Sequence, residues 1–137
     1  MTLARHGSYT IAHQDNILLV DAKGPFNQMI MTKYQEKNHS ICEQLKSKPW
    51  GSLVTYHGNE IFNPDAEQAL IEMTQYRVKH NMVANATVIL DSNHADLQQM
   101  QLRRIYQSSK IVFHVYSDFD SAKNWLSTFL DKKSYHK

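Results

Sequence analysis

The chain is expected to fold as an α/β arrangement in the order β-β-α-β-α-β-α-β-α, with a mixed five-stranded sheet whose last four strands are parallel. Three observations predict the α/β class. Apolar runs of strand length alternate with stretches of helical periodicity, and strands that alternate with helices pair in parallel through right-handed crossovers. The three prolines and four glycines stand singly, at segment ends. Finally, 137 residues with 42% apolar and 20% charged content describe one domain. A chain of this length buries roughly 68% of its unfolded surface, so a core can hold it without a structural metal. Cys42 is the only cysteine, and no internal disulfide can form.

The elements follow in order. Ser8 to His13 (SYTIAH) reads as a strand, and His13-Gln14-Asp15-Asn16 supplies turn residues before the aliphatic run Ile17 to Val20. That pair predicts a hairpin. Gly24-Pro25 stops the second strand, since proline has no N–H for the ladder. Asn27 is a candidate N-cap, with Phe26 and Met31 placed as a hydrophobic staple for a helix from about Gln28 to Lys46. Its apolar set, Ile30, Tyr34, Ile41 and Leu45, is interrupted by the polar run Gln35 to Ser40.

Trp50 to His57 (WGSLVTYH), bounded by Pro49 and Gly58, reads as the third strand. Asn63-Pro64-Asp65 is the clearest helix start: a capping side chain, a proline whose missing N–H costs nothing, and a carboxylate favourable to the dipole. Ala66, Ala69, Leu70, Met73 and Tyr76 then follow at helical steps. Ala86 to Leu90 (ATVIL) is apolar throughout, as a strand covered on both faces should be. Ser92 to Ser108 reads as a helix and Lys110 to Tyr116 as the fifth strand. In the last helix Ala122, Trp125, Leu126, Phe129 and Leu130 form a regular stripe, with Trp125 and Leu126 as expected core anchors. The tail from 132 to 137 carries no stripe and is expected to fray.

Composition narrows the function classes. The net charge is only +2 and the basic residues are spread along the chain, so no nucleic-acid footprint appears. The longest aliphatic run has four residues, against the roughly 20 that span a bilayer. No apolar leader opens the chain, and a cytoplasmic protein with no integral membrane association is expected. None of the four glycines falls in a phosphate-binding pattern, and no cofactor is expected.

In open α/β sheets ligands sit beyond the carboxyl ends of the parallel strands. Those ends carry Asp21, His57, Asp91, His94 and Asp118, a candidate ligand or partner rim. Imidazole and carboxylate suit divalent metals and acid–base chemistry. The same residue types are common in turns, and Asp118 and Asp120 can both cap a helix. The eight histidines are scattered without a His-x-x-x-His or Glu-x-x-His pair, so no catalytic or metal-ligating set is assigned. His114, within an apolar strand, is expected in the core or an interface, and Cys42, beside Ile41, as a buried inert thiol. Arg103-Arg104 with Lys110 reads as a solvated basic face.

The segment VFHVYSDFDSAKNWLSTFL resembles the end of SpoIIAA-like, STAS-type domains, where a last strand meets an acidic turn and an Ala-x-x-Trp-Leu helix, here Ala122, Trp125 and Leu126. ILLVDAKGPFN resembles that family's strand, glycine and helix-start passage, and the element order matches from about Ser8 to Leu130. The resemblance implies a small bacterial cytoplasmic protein without established catalysis. Some relatives switch partners; more distant ones of similar shape bind lipid. Where sporulation antagonists carry a phosphorylatable serine, this chain reads Gly58 to Asp65 without serine or threonine, so that switch is not carried over.

The expected function is therefore a non-enzymatic binding or regulatory module working through protein contacts. The alternatives are a small-ligand or lipid carrier, with an apolar small molecule in a pocket between sheet and helices, and a small enzyme using the Asp/His rim. Sequential strand order with right-handed crossovers places the helices on one side of the sheet. The other face is expected to be covered by a homodimer partner or by the amino-terminal segment.

Overall fold

The computed structural model describes residues 7–26 and 28–135. Its order is β1 (Ser8–Gln14), β2 (Ile17–Lys23), α1 (Gln28–Leu45), β3 (Trp50–His57), α2 (Pro64–Lys79), β4 (Met82–Leu90), α3 (Ala95–Gln107), β5 (Val112–Tyr116) and α4 (Phe119–Tyr135). The strands lie in sequential order in one sheet, with β1 antiparallel to β2 and the rest parallel. This is the α/β arrangement that the alternation of periodicities predicts. The Asn27 cap falls outside the described residues.

The local signals act as expected where they are strong. Asn63 Oδ1 accepts a hydrogen bond from the Ala66 amide at 2.8 Å, with Pro64 opening α2. Gly58 closes β3 at φ +91°, a region glycine enters without steric cost. β4 starts at Met82, four residues before the apolar run. Its buried Asn85 hides the strand from a hydrophobicity pattern, because the side chain is satisfied only by tertiary partners.

α1, α2 and α3 cover one face of the sheet and share one core cluster with Leu18, Val20, Trp50, Val54 and Tyr56. α4 lies on the opposite face, where Ala122, Leu126 and Leu130 pack on Ile17, Leu53, Ala84, Ala86 and Val88. The crossover rule governs only helices that connect two parallel strands, and α4 follows the last strand. It is free to cross over. The apolar face that was expected to pair with a second copy is thus filled by the chain's own carboxyl-terminal helix.

Three smaller expectations are corrected. Trp125 is half-buried, against His114 at 4.6 Å and Phe129 at 5.4 Å, while Leu126 is fully buried. His114 is exposed, since it stands on the α4 side of the edge strand β5. α4 continues through Lys132 and Lys133 to Tyr135, where cations in the last turn favour the helix dipole, rather than fraying after Asp131.

No helix among the described residues is long and apolar enough to cross a membrane.

Candidate functional site

Parallel pairing brings three of the five rim residues together. Asp21 stands two residues before the end of β2, diagonally across from His57 and on the same face of the sheet, and Asp91 follows Leu90, the pairing partner of His57. Asp21 Oδ2 lies 3.0 Å from His57 Nε2, and Asp91 Oδ2 lies 4.0 Å from Nδ1. A carboxylate only accepts, so the short contact places the proton on Nε2. Asp91, at φ +56°, turns the chain out of β4 and is largely exposed. The arrangement holds an imidazole in one orientation between two anions.

The other two rim residues stand apart. His94 is exposed at the start of α3, where Ser92 accepts from its amide at 3.0 Å. Asp118 caps α4, accepting from the Ser121 amide at 2.7 Å and its hydroxyl at 3.0 Å. Its oxygens are committed to the helix start. Among the described residues no three His, Cys, Asp or Glu side chains form a group that could hold a metal ion.

A second candidate site lies on the other side of the sheet. A cleft of about 460 Å³ opens between the amino-terminal halves of α1 and α2, lined by Met31, Thr32 and Gln35 facing Ala66, Ala69 and Glu72. Phe26, Asn63, Asp65 and Gln68 complete the lining. Beneath it, Phe26, Tyr56 and Phe62 meet as a three-ring cluster, with Phe26 stacked on Phe62 at 5.0 Å and edge-on to Tyr56 at 6.0 Å. With Tyr9, Ile30, Met31, Tyr34, Val54 and Leu70 these rings form an apolar bed between α1 and the sheet. The bed is packed, leaving about 10 Å³, which is the space of a single water at most.

The loop that carries Phe62 is tied down. Gln98 Nε2 donates to the carbonyls of Gly58 at 2.9 Å and Glu60 at 2.8 Å. Gln101 exchanges two bonds with the Phe62 backbone, at 2.8 and 2.9 Å. Two buried or half-buried glutamines of α3 thus hold Phe62 in the bed.

Deeper still is a residue that the apolar reading of α2 passed over. Arg77 is 1% exposed and reaches under α1, where Nε donates to Asn38 Oδ1 at 2.6 Å and Nη2 donates to the Tyr34 hydroxyl at 2.8 Å. The signal was in the spacing: Arg77 continues the line Ala66, Leu70, Met73 at i+4. Asn38 likewise lies on the buried line Met31, Tyr34, Asn38, Cys42 and Leu45, so the polar run in α1 does not interrupt the stripe. Nearby Cys42 is fully buried, and burial, partly opposed by Arg77, pushes its thiol up to about 11. At neutral pH it is a poor nucleophile. No protein family, curated protein or solved structure matches the chain.

Proposed function

We propose that the protein is a non-enzymatic binding module of the SpoIIAA-like, STAS-type kind, working in the bacterial cytoplasm, and that its ligand seats in the α1–α2 cleft. The observation that carries this reading is the cleft of about 460 Å³ between α1 and α2, whose lining residue Phe26 stacks on Phe62 of the neighbouring aromatic cluster. A concave site that sets Phe26, Met31, Ala66 and Ala69 beside polar groups suits a small molecule with an apolar body. The partner-binding expectation relied on an open sheet face, and α4 occupies that face. Small-ligand binding is therefore favoured over a protein partner.

The Asp21–His57–Asp91 group supports a second reading, acid–base catalysis, because an imidazole oriented by a carboxylate is a usable general base. Nucleophilic catalysis also needs an activated nucleophile within hydrogen-bond reach of the base. Among the described residues the polar contacts of His57 are the two aspartates, and Cys42 is buried on the far side of the sheet. Binding is the better supported reading.

Titration of the full chain with Nile red, a neutral apolar reporter, tests it. One equivalent should bind, Ala69→Trp should abolish binding by filling the cleft, and His57→Ala should leave it unchanged. Binding that survives Ala69→Trp, or that is lost with His57, would overturn the assignment to the cleft.

A further inference from the structure

We propose that Arg77 is a receptor for a single carboxylate, and that the ligand of the α1–α2 site is a monocarboxylic amphiphile whose apolar body lies in the cleft. This rests on the cleft being the ligand site and names the chemistry of what enters it.

The argument starts from an uncompensated charge. Arginine stays protonated at any accessible pH, and Arg77 is 1% exposed. The groups around its guanidinium are Asn38 Oδ1 at 2.6 Å, the Tyr34 hydroxyl at 2.8 Å, Met73 Sδ at 3.7 Å and the Tyr106 hydroxyl. All are neutral at pH 7. Among the described residues no carboxylate pairs with it. A buried cation left with neutral partners is costly, and proteins ordinarily pair one with an anion.

A second observation points the same way. Asn38 is fully buried, and its Nδ2 has no acceptor. Turning the amide over offers no relief. Its Oδ1 takes the Arg77 Nε–H and faces the Cys42 thiol at 3.9 Å, so a flip would set two donors against each other. The site therefore holds a permanent positive charge and an unused N–H donor, and it is short of acceptors. A carboxylate supplies both the negative charge and the lone pairs, through charge-assisted hydrogen bonds to guanidinium and amide. A dianionic phosphate would leave net negative charge buried against one cation.

Placement connects this site to the cleft. Side chains on a helix lean towards its amino terminus, and the Arg77 guanidinium reaches back over Met73. That puts it one turn from Ala69, which lines the cleft. Tyr34 joins the two regions: its ring lines the bed, and its hydroxyl accepts from Arg77. Phe26 and Met31 line both cleft and bed, so a ligand head that reaches Tyr34 and Arg77 from the cleft requires these two side chains to rotate. Met31 is suited to that movement, being unbranched and adaptable.

The test compares dodecanoate with dodecanol on the full chain by calorimetric titration, in wild type, Arg77→Met, Arg77→Lys and Asn38→Leu. Dodecanoate should bind wild type roughly ten-fold or more tightly than dodecanol, since charge-assisted hydrogen bonds are about twice as strong as neutral ones. Arg77→Met should erase that preference by weakening dodecanoate far more than dodecanol, and Arg77→Lys should keep part of it. If Arg77→Met does not fold, Asn38→Leu serves instead, and it should weaken dodecanoate alone. Equal binding of acid and alcohol by wild type, or a preference indifferent to Arg77 and Asn38, would overturn the carboxylate receptor while leaving the cleft as a site. Failure of wild type to bind either probe would overturn the cleft reading itself, and the receptor with it.

Discussion

The two faces of the sheet are built on opposite principles. Under α4 the contact is dry: Gly51 and Leu53 of β3 and Ala84, Ala86 and Val88 of β4 meet Ala122, Leu126 and Leu130. Small strand residues let the helix sit close, and a Cβ at Gly51 would fall 2.6 Å from Leu126 Cδ1. Under α1, α2 and α3 the same strands present Ser52, Asn85 and Thr87, all fully buried. Thr87 donates to Asn85 Oδ1 at 2.6 Å, and Asn85 Nδ2 donates to the Ser52 hydroxyl at 2.7 Å and the Tyr106 hydroxyl at 3.2 Å. Tyr106 in turn meets Arg77. Because strand side chains alternate, one strand feeds both regimes: Ala84, Ala86 and Val88 to the dry face, Asn85 and Thr87 to the polar one. The dry face is held by shape, and the polar face by a connected set of hydrogen bonds whose members depend on one another.

Substitutions should separate these two regimes. The largest effect is expected from Leu126→Ala, which empties the centre of the dry face and should lower unfolding free energy by about 2–5 kcal/mol in chemical denaturation. A loss under about 1 kcal/mol would mean that α4 is peripheral. On the polar face, Tyr106→Phe changes almost no volume but leaves Asn85 and Arg77 short of an acceptor. It should cost about 1–3 kcal/mol by the same measurement, and a neutral result would show that the network is not cooperative.

Gly51→Ala tests the dry face from the other direction, by overpacking, at a cost of about 1–3 kcal/mol. Combined with Leu126→Ala it should cost less than the sum of the two, since the truncated side chain makes room for the added methyl. Strict additivity would argue against their contact. The smallest effect belongs outside both faces, at the surface pair of Arg104 with Glu67, 2.7 Å apart. The Arg104 hydrogen bond holds the Glu67 carboxyl below its ordinary value of 4.5. Its contribution is therefore present above pH 4.5 and is lost as the pH falls through the lowered value. Arg104→Gln should lower stability slightly above pH 4.5 and leave it unchanged once the pH is below the lowered Glu67 value; an equal loss at all pH values would exclude the ion pair as the cause.

Much of this molecule was legible before any coordinates. Alternating periodicities determined the element order and the α/β class, because helix and strand periods are properties of the local chain. Asn63-Pro64 determined the start of α2 for the same reason, as every participating group lies within one turn. At the rim, strand-end positions identified Asp21, His57 and Asp91. Only strand register decided that these three meet, and that His94 and Asp118 serve their own helix starts instead. The side of the sheet taken by α4 was likewise a tertiary decision, since no crossover constrains a helix after the last strand. So were the burial of Arg77 and Asn38 and the long β4. A polar residue in an apolar line reads as an interruption until the partner that satisfies it, 39 residues away for this pair, is in place.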